Sequence, residues 1–146
     1  MQQLGTSVDR FEVEGILSEE VGDFWPLVAG RIGKALRNGG SLEGVEVIRA
    51  ALLDQVMQLW IVWEYGRLRT IVVTQVEEYE NGDTLKVVAL EGDNLSDWMI
   101  ILERLLRVFA AAKGCKYLAL EGRRGWVKAL KELNWKEVSV RMHKEL

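Results

Sequence analysis

The chain has 146 residues, 49% of them hydrophobic, with one cysteine, one histidine and a formal net charge of −3. That is enough apolar material for one substantial core, and a single domain spanning residues 1–146 is expected. The acidic balance, with a pI near 5.3, argues against a general binder of nucleic acid or anionic membrane, because such proteins need a basic face to recruit phosphates.

Cys115 and His143 cannot supply a four-ligand zinc site, and no Gly-x-x-x-x-Gly-Lys-Ser/Thr loop occurs, so neither a metal nor a nucleotide P-loop is expected. Cys115 opens an apolar pattern and reads as a small buried hydrophobe in a reducing compartment. No apolar run approaches the ~20 residues of a membrane span, and no basic-then-apolar leader opens the chain. The expected site of action is the cytoplasm in which it is made.

In chain order, residues 8–17 alternate around Phe11 and Val13 and predict a short strand. Ser18 stands as the N-cap of a first helix, with Phe24, Leu27, Val28, Ile32 and Leu36 at helical spacing until Asn38-Gly39-Gly40 stops it. A second helix is predicted from Ser41 to about Val56 on the stripe Val45, Ile48, Leu52 and Leu53. From Gln58 the period becomes extended. Leu59–Trp63, Leu68–Val76 and Leu85–Leu90 read as three antiparallel strands joined by turns at Tyr65-Gly66-Arg67 and Asn81-Gly82-Asp83. Ile71, Val72 and Val73 are apolar on both parities, which predicts a sheet covered on both faces.

From Ser96 a long amphipathic helix carries Met99, Ile100, Leu102, Leu105, Leu106 and Phe109 to a stop at Lys113-Gly114. A buried strand Tyr117–Leu120 follows, then a turn at Glu121-Gly-Arg-Arg-Gly-Trp126, a short helix to Leu133, and a final strand-like run to His143. Gly122 and Gly125 are both candidates for positive φ in that turn. Trp126 with Leu130 and Leu133 would pack this helix, and Glu121 would pair with Arg123 or Arg124.

The order β, α, α, β, β, β, α, β, α, β, an antiparallel meander leading into a βαβ unit, resembles the GNAT-type N-acyltransferase fold over about residues 8–146. It implies an α/β architecture with a mixed central sheet and about four flanking helices. The strings Gln58-Leu-Trp60, Val73-Thr74, Gly92 through Asp97-Trp98, Gly114-Cys115 and Glu121–Trp126 resemble GNAT-like proteins of tailed bacteriophages, often found among virion structure and assembly genes. That resemblance implies a non-catalytic structural or binding role, without a cofactor, with other virion or assembly proteins or a second copy as partner, and incorporation into the virion. The alternative it carries is an acetyl-CoA-dependent N-acetyltransferase with a non-standard cofactor loop.

Active GNAT enzymes cradle the pyrophosphate of acetyl-CoA in a loop of the type Gln/Arg-x-x-Gly-x-Gly/Ala at a helix N-terminus. The positions matching that loop make Leu90, Gly92, Asn94 and Ser96 the cofactor-binding candidates. Here only Gly92 is a glycine, and Glu91, Asp93 and Asp97 place three carboxylates near the anion. Like charges about 6 Å apart oppose each other by about 1–3 kcal/mol. Acetyl-CoA is therefore expected to bind more weakly than about 100 μM, and Asp97 is equally explained by a helix dipole. An acetyltransferase also needs a general base, for which Glu77, Glu78 and Glu121 are the strand-borne candidates, and an acid for the leaving thiol, for which Tyr117 is the candidate. Partner-binding candidates are Arg123, Arg124 and Trp126, together with Trp60 and Trp63, which sit three apart on a strand and so face opposite sides.

Overall fold

The computed structural model describes residues 5–8 and 10–146. Six strands form one sheet in the order of the sequence: β1 Gly5–Val8, β2 Phe11–Ile16, β3 Met57–Glu64, β4 Arg67–Glu77, β5 Thr84–Glu91 and β6 Tyr117–Leu120. Strands β1 to β5 are antiparallel neighbours, and β5 and β6 are parallel. The strand expected over residues 8–17 is β2, and the preceding β1 pairs with it as a hairpin, with Val8 opposite Phe11. At the β3–β4 turn, Tyr65 and Gly66 both take positive φ, 49° and 76°, which is the geometry a two-residue hairpin requires.

Four helices flank the sheet: α1 Val21–Asn38, α2 Val45–Leu53, α3 Leu95–Ala112 and α4 Val127–Glu132. Ser18 caps nothing; it opens a 3-10 turn, Ser18–Glu20, that leads into α1, and Leu17 precedes that turn without a side-chain cap. The second helix starts later than expected because Ser41 turns its hydroxyl to the Glu43 N–H, 3.1 Å away, and so closes a loop turn instead. α3 ends in a Schellman pattern on Gly114, φ 76°, with the Cys115 N–H donating to Ala110 O at 2.9 Å and the Gly114 N–H to Ala111 O at 3.0 Å.

The sheet separates two cores. Leu59, Ile61, Ile71 and Val73 face α1 and α2, where Val28, Ile32, Ile48 and Leu52 meet them. Trp60, Val62, Val72 and Leu85 face the other way, against Trp98, Leu102, Leu106 and Phe109 of α3. Each such side chain contributes about 1.5–3 kcal/mol when fully buried. Alternate residues of β3 thus feed opposite layers, as the two-parity pattern around Ile71–Val73 implies.

Trp60 and Trp63 do face opposite sides, but Trp60 is 0% exposed and cannot meet a partner. Its indole N–H donates to Thr74 Oγ1 at 2.9 Å, the Thr74 hydroxyl donates to Gln58 Oε1 at 2.8 Å, and its ring stands edge-on to Phe109 with centroids 5.2 Å apart. Burial of the indole requires such an acceptor. Trp63 is half-buried, donating to Glu14 at 3.2 Å beside the Phe24 ring.

After Leu120 no strand occurs among the described residues, so the final strand expected up to His143 is absent. Trp135 is nevertheless fixed, its backbone N–H on Leu130 O at 3.0 Å and its indole N–H on Glu103 at 2.7 Å.

Neither glycine of the 121–126 turn takes a positive φ. Gly122 is required for space instead, because a Cβ there would lie 2.7 Å from Trp126 Cε3 and 2.9 Å from Leu120 Cδ2, whereas a Cβ on Gly125 meets nothing within 4 Å. Gly122→Ala is accordingly expected to cost about 1–3 kcal/mol, the range of an overpacked site, while Gly125→Ala stays within about 0.5 kcal/mol. Thermal melting of the two variants checks this, since each kcal/mol moves the midpoint by a few degrees in a chain of this length.

Candidate functional site

The feature that opens a site is the unequal length of the parallel pair. β6 follows β5 from Thr84↔Tyr117 to Val87↔Leu120 and stops, while β5 continues to Glu91. At the same level the β4–β5 register slips, so that Val73 faces Ala89 and Thr74 faces Val87, which leaves Val88 as an extra residue in β5. Such a bulge bends the strand and releases it locally from the ladder. Beyond Val87 and Leu120 the sheet therefore has a gap, walled by the C-terminal end of α1, by Ser41–Glu43, by Glu121–Arg123 with Trp126, and by Arg141. The cleft has a volume of about 320 Å³.

Its floor carries charge in a defined order. Lys86 sits across from Gln75 on one side and Ala119 on the other. Because β4 runs antiparallel and β6 parallel to β5, Glu77 and Glu121 fall on opposite sides of Lys86 along the strand. The Lys86 ammonium lies 2.9 Å from Glu121 and 3.4 Å from Glu77. Burial works against the charge on Lys86, but the hydrogen bond and charge of Glu121, with those of Glu77, outweigh it and raise the lysine pKa. Tyr79 donates to Glu77, and that hydrogen bond raises the tyrosine pKa. Arg141 approaches Glu121 from outside at 3.7 Å, and the Arg123 guanidinium stacks on Trp126, 4.8 Å from its ring centre.

Of the residues singled out by sequence, Glu121, Arg123, Trp126 and Leu90 line this cleft and Glu77 borders it through Lys86. Glu78 does not: it is exposed past the end of β4. Tyr117 is 60% exposed at the start of β6, beside Gly82, and so stands at the closed end of the parallel pair, away from the cleft. Arg124 lines a separate surface groove on α4 with Lys128 and Lys131. Sequence reasoning passed over Lys86, Gln75 and Arg141. The signal for Lys86 was present, a single cation inside the apolar run Leu85–Leu90.

The loop between β5 and α3 is only Gly92-Asp93-Asn94. Gly92 packs onto β4, where a Cβ would stand 2.2 Å from Thr70 Oγ1, and Asn94 takes the left-handed conformation, φ 51°, before α3. The three carboxylates expected to oppose an anion are largely compensated. Glu91 meets Arg31 at 2.6 Å and Lys34 at 3.8 Å, and Asp97 meets Arg10 at 3.7 Å and Arg69 at 3.8 Å. Glu64 ties the same two arginines together at 2.8 and 3.2 Å. Asp93 is exposed and has no cation partner among the described residues; its carbonyl accepts the Trp98 indole N–H at 2.8 Å. Leu90 is buried, so only its backbone could serve a ligand, whereas Ser96 is exposed in the first turn of α3.

Among the described residues no group of three His, Cys, Asp or Glu side chains could hold a metal ion, and no helix is long and apolar enough to cross a membrane. The Cys115 thiol is half-buried, and burial, followed by the charge of Asp83, raises its pKa, the opposite of an activated nucleophile.

No family model matches the sequence, and no curated protein matches it. Solved structures do match. A GCN5-related N-acetyltransferase from Ralstonia eutropha superimposes with a TM-score of 0.65 at 14% identity, over 93% of this chain and 98% of that one. A predicted acetyltransferase with acetyl-CoA from Clostridium acetobutylicum gives 0.65 at 10% identity, over 92% and 96%. An aminoglycoside acetyltransferase from an uncultured soil metagenomic sample gives 0.65 at 16% identity, over 93% and 98%. At such identities the likeness concerns the fold, and the chain has the GNAT acetyltransferase fold.

The central position of Lys86 can be measured. Its pKa is raised in the folded state, so its contribution to stability is complete below the ordinary lysine value and is lost as pH rises through the folded value. Tyr79 is shifted in the same direction and adds to the loss. Lys86→Met is therefore expected to be less stable than the parent at pH 7, by about 1 kcal/mol for a partly exposed pair, with the difference closing in strongly alkaline solution. Urea unfolding of both proteins at neutral and alkaline pH checks it.

Proposed function

We propose that this chain is an acyl-CoA-dependent N-acyltransferase that uses a non-standard cofactor loop. The observation that supports this reading best is the cleft opened where β5, bulged at Val88, outruns β6. A narrow opening between diverging parallel strands suits a thin acyl-pantetheine chain, and the bulge leaves backbone polar groups of β5 available to a carbonyl. No side chain caps the first N–H groups of α3; Asn94 O takes that of Asp97 at 2.9 Å, which leaves those of Leu95 and Ser96 for a pyrophosphate. When bound, the acyl-CoA would supply an activated thioester for attack by an amine.

The chain's own residues supply the remaining parts. Glu121 stands in the cleft as the carboxylate able to take a proton from an incoming amine, and Lys86, 2.9 Å away, holds it in place. Arg123, stacked on Trp126, and Arg141 set the charge at the entrance. Asp93 is the one loop carboxylate left to oppose an anionic cofactor.

A second reading, a binding module without catalysis, is favoured by the use made of Gly92. The only glycine of the loop packs against Thr70, so the loop has no further glycine with which to form a cradle. The virion or assembly role implied by the phage-type strings belongs to this reading, with the same cleft taking a partner segment.

Titration calorimetry with acetyl-CoA separates the two. The first reading expects saturable binding with Kd between about 10 and 300 μM. It also expects Asp93→Asn to tighten binding three- to tenfold, the value of about 1 kcal/mol of relieved repulsion. Absence of saturable heat from both proteins at about 1 mM ligand, weaker than −4.1 kcal/mol on the standard scale, decides for the binding module. Where binding is seen, Glu121→Gln should lower acyl transfer to a primary amine by about a hundredfold or more with little change in acetyl-CoA affinity, as for loss of a general base.

A further inference from the structure

The cleft presents a free cation and an exposed apolar wall. Of its three cations, Lys86 lies between two carboxylates, and Arg141 meets Glu121 at 3.7 Å with its side chain 63% exposed. Arg123 has no carboxylate partner among the described residues, since Glu121 is taken by Lys86 and Arg141. Its guanidinium rests on the Trp126 ring instead, 4.8 Å from the centre. A guanidinium held on an aromatic face keeps its N–H edge free for two bonds to one carboxylate. On the loop before α2 and on α2 itself, Leu42 and Val47 are 87% and 52% exposed where they line the same cleft, and Glu43 adds a carboxylate beside them.

We propose that the acceptor is a free α-amino acid with an apolar side chain, an inference that rests on the acyltransferase reading. Arg141 and Glu121 stand side by side at 3.7 Å, so the groups that answer them, a carboxylate and an ammonium, must also be neighbours, as they are on one α-carbon. The ammonium meets Glu121, the carboxylate meets Arg141 and Arg123, and the side chain lies along Leu42 and Val47. A lysine side chain or a peptide N-terminus lacks that carboxylate and leaves both guanidiniums unanswered. A polycationic acceptor meets Lys86, Arg123 and Arg141 as like charges, and an acidic side chain meets Glu43 as one. The volume of about 320 Å³ stands at the lower end of small-molecule sites, the scale of one amino acid rather than of a peptide.

Protons and bonds balance on these groups. The ammonium gives one proton to Glu121, and the freed nitrogen pair attacks the thioester carbonyl of the acyl-CoA. The C–N bond forms as the C–S bond breaks. The leaving sulfur receives the second nitrogen proton, and Glu121 returns the first to water.

Titration of the natural chain with L-leucine and with L-leucinamide, which differs at the carboxylate, tests the inference by NMR. L-leucine should shift the Arg123 and Arg141 Nε–H signals and the Trp126 indole signal saturably, with a Kd at least about tenfold below that of leucinamide, as for a hydrogen bond to a charged group. Arg123→Gln, at an exposed position, should erase most of that difference, and Arg123→Lys should restore part of it. With acetyl-CoA present, kcat/KM should favour L-leucine over leucinamide by the same factor, and over L-glutamate as well, through KM. Equal binding and equal transfer for leucine and leucinamide would overturn the inference and leave the acyltransferase reading standing, as would a preference that survives Arg123→Gln and Arg141→Gln together. Selective leucine binding with no transfer to any of these amines would overturn the acyltransferase reading, and the acceptor role with it.

Discussion

The architecture depends on three adjacent strands, β3, β4 and β5, being apolar on both faces. A sheet wetted on one side would alternate apolar and polar residues, and these strands do not: Leu59 to Val62 and Ile71 to Val73 are completely buried in sequence. Each face must then be covered, and α1 with α2 on one side and α3 on the other do so. Inside, Trp60 donates to Thr74 and Thr74 to Gln58, so that the indole enters the core without leaving an unpaired donor.

Charge is confined to the borders of that double core. At the ends of β3, β4 and β5, Glu64, Glu91 and Asp97 meet Arg10, Arg31 and Arg69, which joins both loops and helices to the strand termini. At the open end of β6 the arrangement is inverted, with one cation between two carboxylates. The first cluster holds the body of α1 and the start of α3 to the sheet, and the second stands in the cleft. A net charge of −3 describes neither, because it averages over clusters of opposite design.

How much of this was legible depends on the range of the interactions involved. The meander, the long α3 and the short β6 were readable because period and turn chemistry are local: Leu59–Trp63 and Leu85–Leu90 fall inside the observed strands, and Gly114 ends α3 as expected. Ser18 was misread because a capping serine and a serine opening a 3-10 turn look alike in one dimension. The compensation of the acidic loop was hidden for a similar reason. The cations that compensate Glu91 and Asp97 lie on α1, at the β2 border and on β4, far along the chain. At the cleft, Glu121, Arg123 and Trp126 stood out because they share one visible turn, whereas Lys86 acquires meaning only when the antiparallel and parallel registers bring Glu77 and Glu121 to either side of it. That Tyr117 lies away from the cleft was not legible, because strand membership does not say which end of the strand is open.

The contact between Gly92 and Thr70 carries a consequence for variation at these positions. The methyl group of an alanine at 92 would occupy the space of the Thr70 hydroxyl, and the Thr70 side chain is fully buried. Positions 70 and 92 therefore form one packing unit shared between a central strand and the loop that starts α3. Substitutions there should not be additive, since a smaller residue at 70 creates the room that a larger one at 92 needs, and either change alone leaves a void or a collision. The loop's single glycine is thus exchangeable only in concert with a residue 22 positions earlier in the chain, and drift in the loop is conditional on drift in the sheet.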